Sequence, residues 1–386
     1  MPGLIELYIV ILIIFIIESI VLIEENTFLV YSSWFFFKAR YKEGIYKWGK
    51  KYVKFLNPVL PFSDVFLTDF PIISYSPIGI SSIKSNELKI ESNESAGRTF
   101  YTYDEIKIIH SEENKIYIND QLFTSCSSDV AAKFTVRFLK ELKESDNESI
   151  EKKIDVYLNT IFDIKTLNSK YDSFDKSTIY LKVVTQIYWL YLFVILPLLL
   201  FKFNYFLIFE PLLFILIALH IITIILVYLT KISVYKKNPH YDFQSNFIKI
   251  ILSPFAACWS NMILSKDYLT EFHPLVVLKK LIPAKDFVYY GGKIVREYKY
   301  CDENFSSNIN ENEIIKWNRE KLDSKIVKFL NDNGDNLQAF ILPFSKFNPA
   351  AKSFCPRCLA EYTFEDGTCA DCEGINLINL NKKCDE

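Results

Sequence analysis

Three runs of apolar residues interrupt an otherwise mixed pattern of hydrophobic and polar positions. The first, Leu4 to Ile23, is broken only by Glu6, Glu18 and Ser19. Twenty helical residues at 1.5 Å each span about 30 Å, the thickness of a bilayer's hydrocarbon core. The second run, Val183 to Phe201, is apolar apart from Thr185 and Gln186. The third, Phe206 to Leu229, is interrupted by Glu210, His220 and Thr223. Only Lys202-Phe203-Asn204-Tyr205 separates the last two, so they are expected to run antiparallel as a helical hairpin. Runs that are apolar around the whole circumference argue against buried helices of a soluble core. The first run lacks the basic start and small-residue cleavage site of a signal peptide and closes on Glu24-Glu25, which reads as an uncleaved anchor.

The expected fold class is therefore a multi-span α-helical membrane protein with three transmembrane helices, cytoplasmic α+β domains and a C-terminal metal-binding module. The pattern divides the chain into an anchor (1–25), a basic aromatic juxtamembrane segment (26–58) and a β-rich domain with a C-terminal helix (59–145). A helical linker (146–182), the transmembrane hairpin (183–231), a cytoplasmic α+β segment (232–345) and the metal-binding tail (346–386) follow. A weaker candidate, "FIKIILSPFAACWSNMIL" from Phe247 to Leu264, carries Lys249, Ser253, Pro254, Ser260 and Asn261. It reads as an interfacial or buried helix, with a re-entrant segment as the alternative.

Within the β-rich stretch, "LKIES", "TFYTYDEIKIIH" and "KIYINDQLFTSC" alternate β-branched and aromatic residues with polar ones. Glu112-Glu113-Asn114 and Asn119-Asp120 supply turns. Ser127-Ser128-Asp129 opens a helix striped by Val130, Phe134, Phe138, Leu139 and Leu142. Farther on, Asn310 to Glu313 caps a helix carrying Ile315, Leu322, Ile326 and Phe329 and stopped at Asn333-Gly334. Gly291-Gly292 reads as a hairpin turn and "LQAFILPF" as a strand.

Charge sets the expected direction of the spans. Lys38, Arg40, Lys42, Lys47, Lys50, Lys51 and Lys54 follow the first run, opposed there by Glu43 alone, and no Lys or Arg precedes it. Lys231, Lys236 and Lys237 follow the third run, while the hairpin tip holds Lys202. By the positive-inside bias, the N-terminus faces outward and the bulk of the chain and the C-terminus are cytoplasmic, in a bacterial inner membrane. The seven basic residues, interleaved with Trp34, Phe35, Phe36, Phe37, Tyr41, Tyr46 and Trp48, are also candidates for contact with an anionic inner leaflet. All eight cysteines fall on the inner, reducing side, where thiols persist.

The tail reads "CPRCLAEYTFEDGTCADC". Cys355 with Cys358, and Cys369 with Cys372, form two C-x-x-C pairs ten residues apart. Each pair can turn two thiolates toward one point, and four thiolates suit a closed, structural, tetrahedral site. Between them, Tyr362 and Phe364 alternate with polar neighbours and Asp366-Gly367 offers a turn, so a short hairpin is expected. Gly374 permits positive φ after the second pair. A cytoplasmic setting disfavours disulfides, and a redox site would need only one pair. The ion expected is zinc, in a structural role, with iron as the competitor.

Over residues 354–380 the segment resembles the zinc-ribbon modules of bacterial membrane and nucleic-acid proteins. It departs from them in Leu359, where a glycine commonly follows the first knuckle, and in a short inter-knuckle loop. Residues 71–144 resemble, on "YTYDEIKII" and "LFTSCSSDVAAKF", the pleckstrin-homology-like domains of bacterial membrane proteins, a likeness that implies lipid headgroups as ligands. Residues 84–144 hold nine Lys/Arg against eleven Asp/Glu, which leaves no basic pocket visible.

Net charge is −2, and the tail from Cys355 to Gly374 sets Arg357 against Glu361, Glu365, Asp366, Asp371 and Glu373. Nucleic acid is thereby disfavoured as a partner, because phosphate contact depends on clustered cations. No phosphate-cradling glycine loop, nucleophile elbow, kinase set or metalloprotease helix occurs. Glu18, Glu210 and His220 are the ionisable residues inside the apolar runs. His220, the deepest, is expected to hydrogen-bond another helix as a neutral ring rather than to line an ion path. These features favour a non-catalytic inner-membrane scaffold that docks a protein partner. The alternative is a membrane-bound enzyme or transporter subunit with its site in residues 60–145 or 240–345.

Overall fold

The structure, a computed structural model, describes residues 6, 9–15, 17, 27–31, 41–43, 45–48, 51–54, 63–67, 73–83, 98–126, 129–202, 205–235, 244–282, 284–300, 309–341, 348–372 and 375–380. The chain divides into two units: Met1–Asp69, Ser127–Phe134 and Lys165–Glu271 form one, and Phe70–Cys126, Thr135–Ile164 and Phe272–Glu386 form the other.

In the first unit, residues 9–15 are helical, as the first apolar run predicts, and Phe15 on them is buried. Most of the rest of that run, Glu18 included, lies outside the described residues. Strand β1 (Thr27–Tyr31) pairs antiparallel with β2 (Tyr41–Glu43) and with β5 (Ser63–Leu67), and β3 (Ile45–Trp48) pairs with β4 (Lys51–Lys54). The described parts of the basic aromatic segment are thus strands. The reason is local: these stretches are rich in aromatic and β-branched residues, and Trp48 pairs with Lys51.

The second unit begins with two three-stranded antiparallel sheets. Strands β6 (Ile73–Tyr75), β7 (Gly79–Ile83) and β8 (Arg98–Thr102) form one. The other is built from β9 (Ile109–Glu112), β10 (Lys115–Ile118) and β11 (Gln121–Ser125). Both expected turns occur. Asn119 and Asp120 take φ of 51° and 62°, the left-handed pair that a two-residue hairpin loop needs, and Glu113 takes 50°. The Asn119 side chain also accepts from the Lys107 and Ile108 amides (2.8 and 3.2 Å) and donates to the Glu105 carbonyl (2.8 Å), tying the turn to the chain before β9. Helix α1 (Asp129–Lys143) follows where the sequence placed it, and α2 (Asn147–Ile161) begins on an Asp146 cap.

The stretch expected as a helical linker, residues 146–182, holds α2 and the first part of a longer helix. Helix α3 (Ile164–Leu190) runs through its boundary at residue 182 and continues by a π turn (Tyr191–Ile195) into α4 (Leu196–Lys202). Its buried stripe, Leu167, Tyr171, Phe174, Thr178, Leu181, Thr185 and Tyr188, follows helical spacing from the polar half into the apolar half without a break. Helix α5 (Tyr205–Tyr235) is the third apolar run. Among the described residues, two stretches, Ile164–Leu199 and Pro211–Thr230, are long and apolar enough to cross a membrane. Only 28% and 17% of their apolar windows is buried, and Leu198 and Phe214 stand 63% and 76% exposed. Tyr191 donates from its hydroxyl to the Leu212 carbonyl (2.6 Å), joining the two helices. Residues 247–264 are not one helix: α6 (Gln244–Leu252), α7 (Pro254–Cys258) and α8 (Ser260–Leu269) are separated at Ser253 and Trp259. Ser253 caps α7 through the Ala256 amide (3.1 Å), and Pro254 lacks the N–H that continuity requires.

The expected α+β segment after the hairpin is helical throughout its described residues. Helices α9 (Pro274–Leu281), α10 (Ala284–Lys299), α11 (Ile309–Asp332) and α12 (Leu337–Ile341) belong to the second unit. Two readings are corrected here. Gly291-Gly292 lies inside α10, and Leu337–Ile341, expected as a strand, is helix α12. The glycines serve close packing: a Cβ on Gly291 would stand 2.9 Å from the Phe340 ring, and one on Gly292 would stand 2.8 Å from the Phe340 carbonyl oxygen. Arg296, one turn on, donates to that same carbonyl at 2.9 Å.

Helix α11 buries Ile314 rather than the expected Ile315, and it buries two polar residues that no apolar stripe would reveal. Glu311 accepts from the Ser81 hydroxyl (2.8 Å), and Asn318 accepts from the Tyr75 amide (3.2 Å), so the helix is keyed to β6 and β7 by hydrogen bonds. On its other side Lys325 pairs with Asp155 and Lys321 with Glu151, both at 2.7 Å. The Lys325 hydrogen bond holds the Asp155 carboxyl below its ordinary range.

His273 caps α9 by accepting from the Leu275 amide at Nδ1 (3.2 Å) and stacks on Phe162 at 4.4 Å. Burial pushes its imidazole down to about 3. The ring is neutral in the folded chain, whereas the unfolded chain takes up a proton below about pH 6.5. Its contribution is therefore complete above that pH and is lost as pH falls toward 3. From pH 7 to pH 5 the loss is about 2 kcal/mol. Thermal unfolding in detergent should show the gap between the two pH values narrowing by about that amount in His273→Asn, which keeps a cap; an unchanged gap would contradict the assignment.

Candidate metal centre

The tail folds around its cysteines. Strand β12 (Ser353–Phe354) lies between β13 (Glu361–Tyr362) and β14 (Ile378–Asn379). The hairpin expected between the two cysteine pairs does not form. Tyr362 instead pairs back with Ser353, and Thr368 bridges Asn376, so each pair sits in the turn of its own hairpin. The reason is the knuckle itself. Cys355 donates from its amide to the Ala360 carbonyl (2.9 Å), and Leu359 donates to the Cys355 carbonyl (2.9 Å). Around the second pair Cys369 donates to Ile375 (2.9 Å) and Ile375 to Cys372 (3.2 Å). Gly367, expected at the turn of the hairpin between the pairs, instead stands just before the Thr368 bridge with φ +146°, a conformation that favours glycine. Gly374 lies outside the described residues.

Leu359 turns the first knuckle at φ +64°. A leucine pays about 1–2 kcal/mol there, partly offset for glycine by about 0.5–1 kcal/mol of extra chain entropy. Leu359→Gly should consequently stabilise the tail by about 0.5–1 kcal/mol and Leu359→Val should weaken it by at least about 1 kcal/mol, read as opposite shifts in resistance to a chelator.

The Sγ atoms of Cys355, Cys358, Cys369 and Cys372 all lie within 4.8 Å of one another, and Cys358 and Cys369 are 3.6 Å apart. A tetrahedral ion bound at about 2.3 Å holds its thiolates about 3.8 Å apart, so the four residues fit such an ion. Cys355, Cys369 and Cys372 are buried together with Ile375 and Leu377, with Tyr300 and Tyr362 packed against them, and Cys358 is exposed. Burial pushes the Cys358 thiol up to about 11 and raises Cys372. At Cys369 burial also pushes upward but is outweighed, chiefly by the Tyr362 hydroxyl, and the thiol falls to about 7. A cation entering the cluster would therefore displace protons.

Tyr362 is the residue that the sequence did not single out for the site. Its hydroxyl reaches Cys369 Sγ at 3.1 Å and accepts from the Ala370 amide at 3.0 Å, while the Cys372 amide donates to the same sulfur at 3.3 Å. These bonds orient the ligand and spread its charge. The only hint in sequence was an aromatic near a C-x-x-C pair, which alternation explained equally well.

Chain comparison adds no template: no protein-family model, curated protein or solved structure matches it. The four clustered cysteines fit a zinc-ribbon-like module, and the pleckstrin-homology-like reading of residues 71–144 has no family match behind it.

Of the other expected site residues, Lys38, Arg40, Lys50 and Glu18 lie outside the described residues. Lys42, Lys47, Lys51 and Lys54 fall on β2, β3 and β4, and Glu210 falls on α5. His220 meets two partners. Its Nε2 is 3.0 Å from the Ile251 carbonyl and its Nδ1 is 3.2 Å from the Tyr188 hydroxyl. A carbonyl can only accept, so Nε2 carries a proton and donates to Ile251, and the ring is bonded to two neighbouring helices. In the second unit a cavity of about 70 Å³ is lined by Val295, Lys299, Asp323, Ile326, Val327 and Leu337. That is small beside the roughly 300–1,000 Å³ of a typical ligand pocket.

Proposed function

We propose that the chain is a non-catalytic membrane scaffold: an inner-membrane protein of three spans whose cytoplasmic tail is knotted by one structural zinc ion and docks a protein partner. The observation that carries the reading is the closed set of four thiols backed by its own small core, which leaves no open position for substrate. All-sulfur ligation and a tetrahedral spacing favour zinc over harder ions. The zinc ion, when bound, would supply cross-linking and charge but no chemistry. Membrane residence is supported by the exposed apolar faces of Ile164–Leu199 and Pro211–Thr230, which water would solvate poorly. A third span is supported by Phe15, buried in the middle of the first apolar run against Phe193 at 4.4 Å. The orientation rests on the lysines that follow the first and third runs.

Metal analysis of the protein purified from alkali-washed membranes tests both halves. One zinc per chain in the washed membrane fraction is the expected result. Recovery in the soluble wash would refute the membrane half, and iron, or no ion, would refute the zinc half. Docking is tested by cross-linking in intact membranes, where a discrete partner should attach to the tail of the wild type and be lost on Cys372→Ser.

A further inference from the structure

We infer that residues 244–269 re-enter the membrane, carrying the end of α6 to mid-depth, where lipid acyl chains cover its apolar face; this rests on the reading of α5 as a span. Two contacts fix the depth. The Phe247 ring lies 6.4 Å from that of Tyr228, and the Ile251 carbonyl meets His220. Helix α6 therefore runs back along α5 from near its end toward its middle. His220 stands half-way along the apolar stretch Pro211–Thr230, about 15 Å from either end at 1.5 Å per residue. Nine residues of α6 rise about 13 Å, which carries its last turn most of the way to that level from the end of the span.

The return path has its own marker. Past the break at Ser253-Pro254, Phe255 and Trp259 pack on Phe15 at ring distances of 5.9 and 4.9 Å, and Phe193 lies 6.2 Å from Phe255. Phe15 is central in its apolar run and Phe193 is central in the run Val183–Phe201, so the turn of the element lies among the middles of the apolar runs. Helix α8 then lies beside β5, which pairs with β1, the strand that follows the first run.

A helix break at that depth leaves carbonyls without donors, which lipid cannot supply. His220 supplies one: its Nε2–H serves Ile251, in the last turn of α6. The outer face of α6 is apolar and open, with Ile248, Ile251 and Leu252 at 56%, 41% and 77% exposure. Lys249, its one cation, points its stem back toward the helix N-terminus, the side from which α6 enters.

The test places a photoreactive benzoyl-phenylalanine singly at Leu252, at Phe214 on α5 and at Ile309, which is 81% exposed on α11. Each full-length protein is irradiated in vesicles of phosphatidylethanolamine and phosphatidylglycerol, and lipid adducts are located by fragmentation mass spectrometry. Leu252 and Phe214 should each give at least about tenfold more acyl-chain adduct than Ile309, with the Leu252 adduct on the distal half of the chain. Adducts at Phe214 together with none at Leu252, or with Leu252 attached only near the headgroup, would overturn the re-entrant element and leave the spans standing. Adducts at neither position would remove the membrane reading and this inference with it.

Discussion

Cys372→Ser, purified from membranes, is expected to hold fewer than about 0.1 metal ions per chain, and its tail should lose protection from hydrogen exchange in the same preparation. The two effects are coupled because the tail has little else to hold it. Its buried cluster consists of three of the cysteines themselves with Ile375 and Leu377, and its sheet is made of two-residue strands. A segment of this size cannot offset its chain entropy by burial alone. Structural zinc contributes about 10–16 kcal/mol in small zinc-binding peptides, far more than those contacts can replace. Serine keeps the shape but is a poor ligand at neutral pH, and it leaves Cys355, Cys358 and Cys369 as an incomplete set. The amides of Cys355, Cys369 and Leu377 are the reporters, since each donates within the tail, to Ala360, Ile375 and Gly367. Exchange in α11 should be unchanged. Loss of the ion with those three amides still protected would show that the metal does not build the fold.

Phe340→Ala should lower the stability of the second unit by about 3–5 kcal/mol, followed by thermal or denaturant unfolding in detergent. The ring is fully buried and meets Phe287 edge-on at 5.2 Å. It fills the space that Gly291 leaves open, so the cavity left by alanine faces a helix with no side chain there to relax into it. The backbone carbonyl of the same residue accepts from the buried Arg296 guanidinium, and any shift of α12 into the void would stretch that bond as well. Ile309→Ala, on an exposed side chain, should change stability by no more than about 0.5 kcal/mol. A loss below about 1 kcal/mol at Phe340 would mean that α12 is not held on α10 as described.

What the sequence by itself determined is what depends on near neighbours. The cysteine spacing brought the four thiols together because a C-x-x-C pair closes through its own backbone amides. Asn119-Asp120 set a hairpin loop because short polar residues tolerate positive φ. The apolar runs of 183–201 and 206–229 became two long helices, since each satisfies its backbone internally wherever it lies. Helix α1 began at Asp129 as its apolar stripe required, whereas Asn310, expected to cap α11, lies one residue inside a helix that starts at Ile309.

Tertiary structure decided whatever depends on a distant partner. Gly291-Gly292 has the composition of a turn, yet a missing side chain equally admits a neighbour, and Phe340 made it a packing site. The apolar residues of "LQAFILPF" suit a strand or a buried helix, and with no strand beside it among the described residues, Leu337–Ile341 closes its hydrogen bonds within itself. Glu311 and Asn318 are unremarkable on a surface helix and became buried because Ser81 and the Tyr75 amide wait opposite them, more than two hundred residues away. Tyr362 joined the cysteine cluster because the chain pairs it back to Ser353, and His220 found its acceptor in a helix break thirty-one residues on. Periodicity records which face of an element is apolar, but a hydrogen-bond partner across the fold leaves no periodic trace, and there the sequence falls silent.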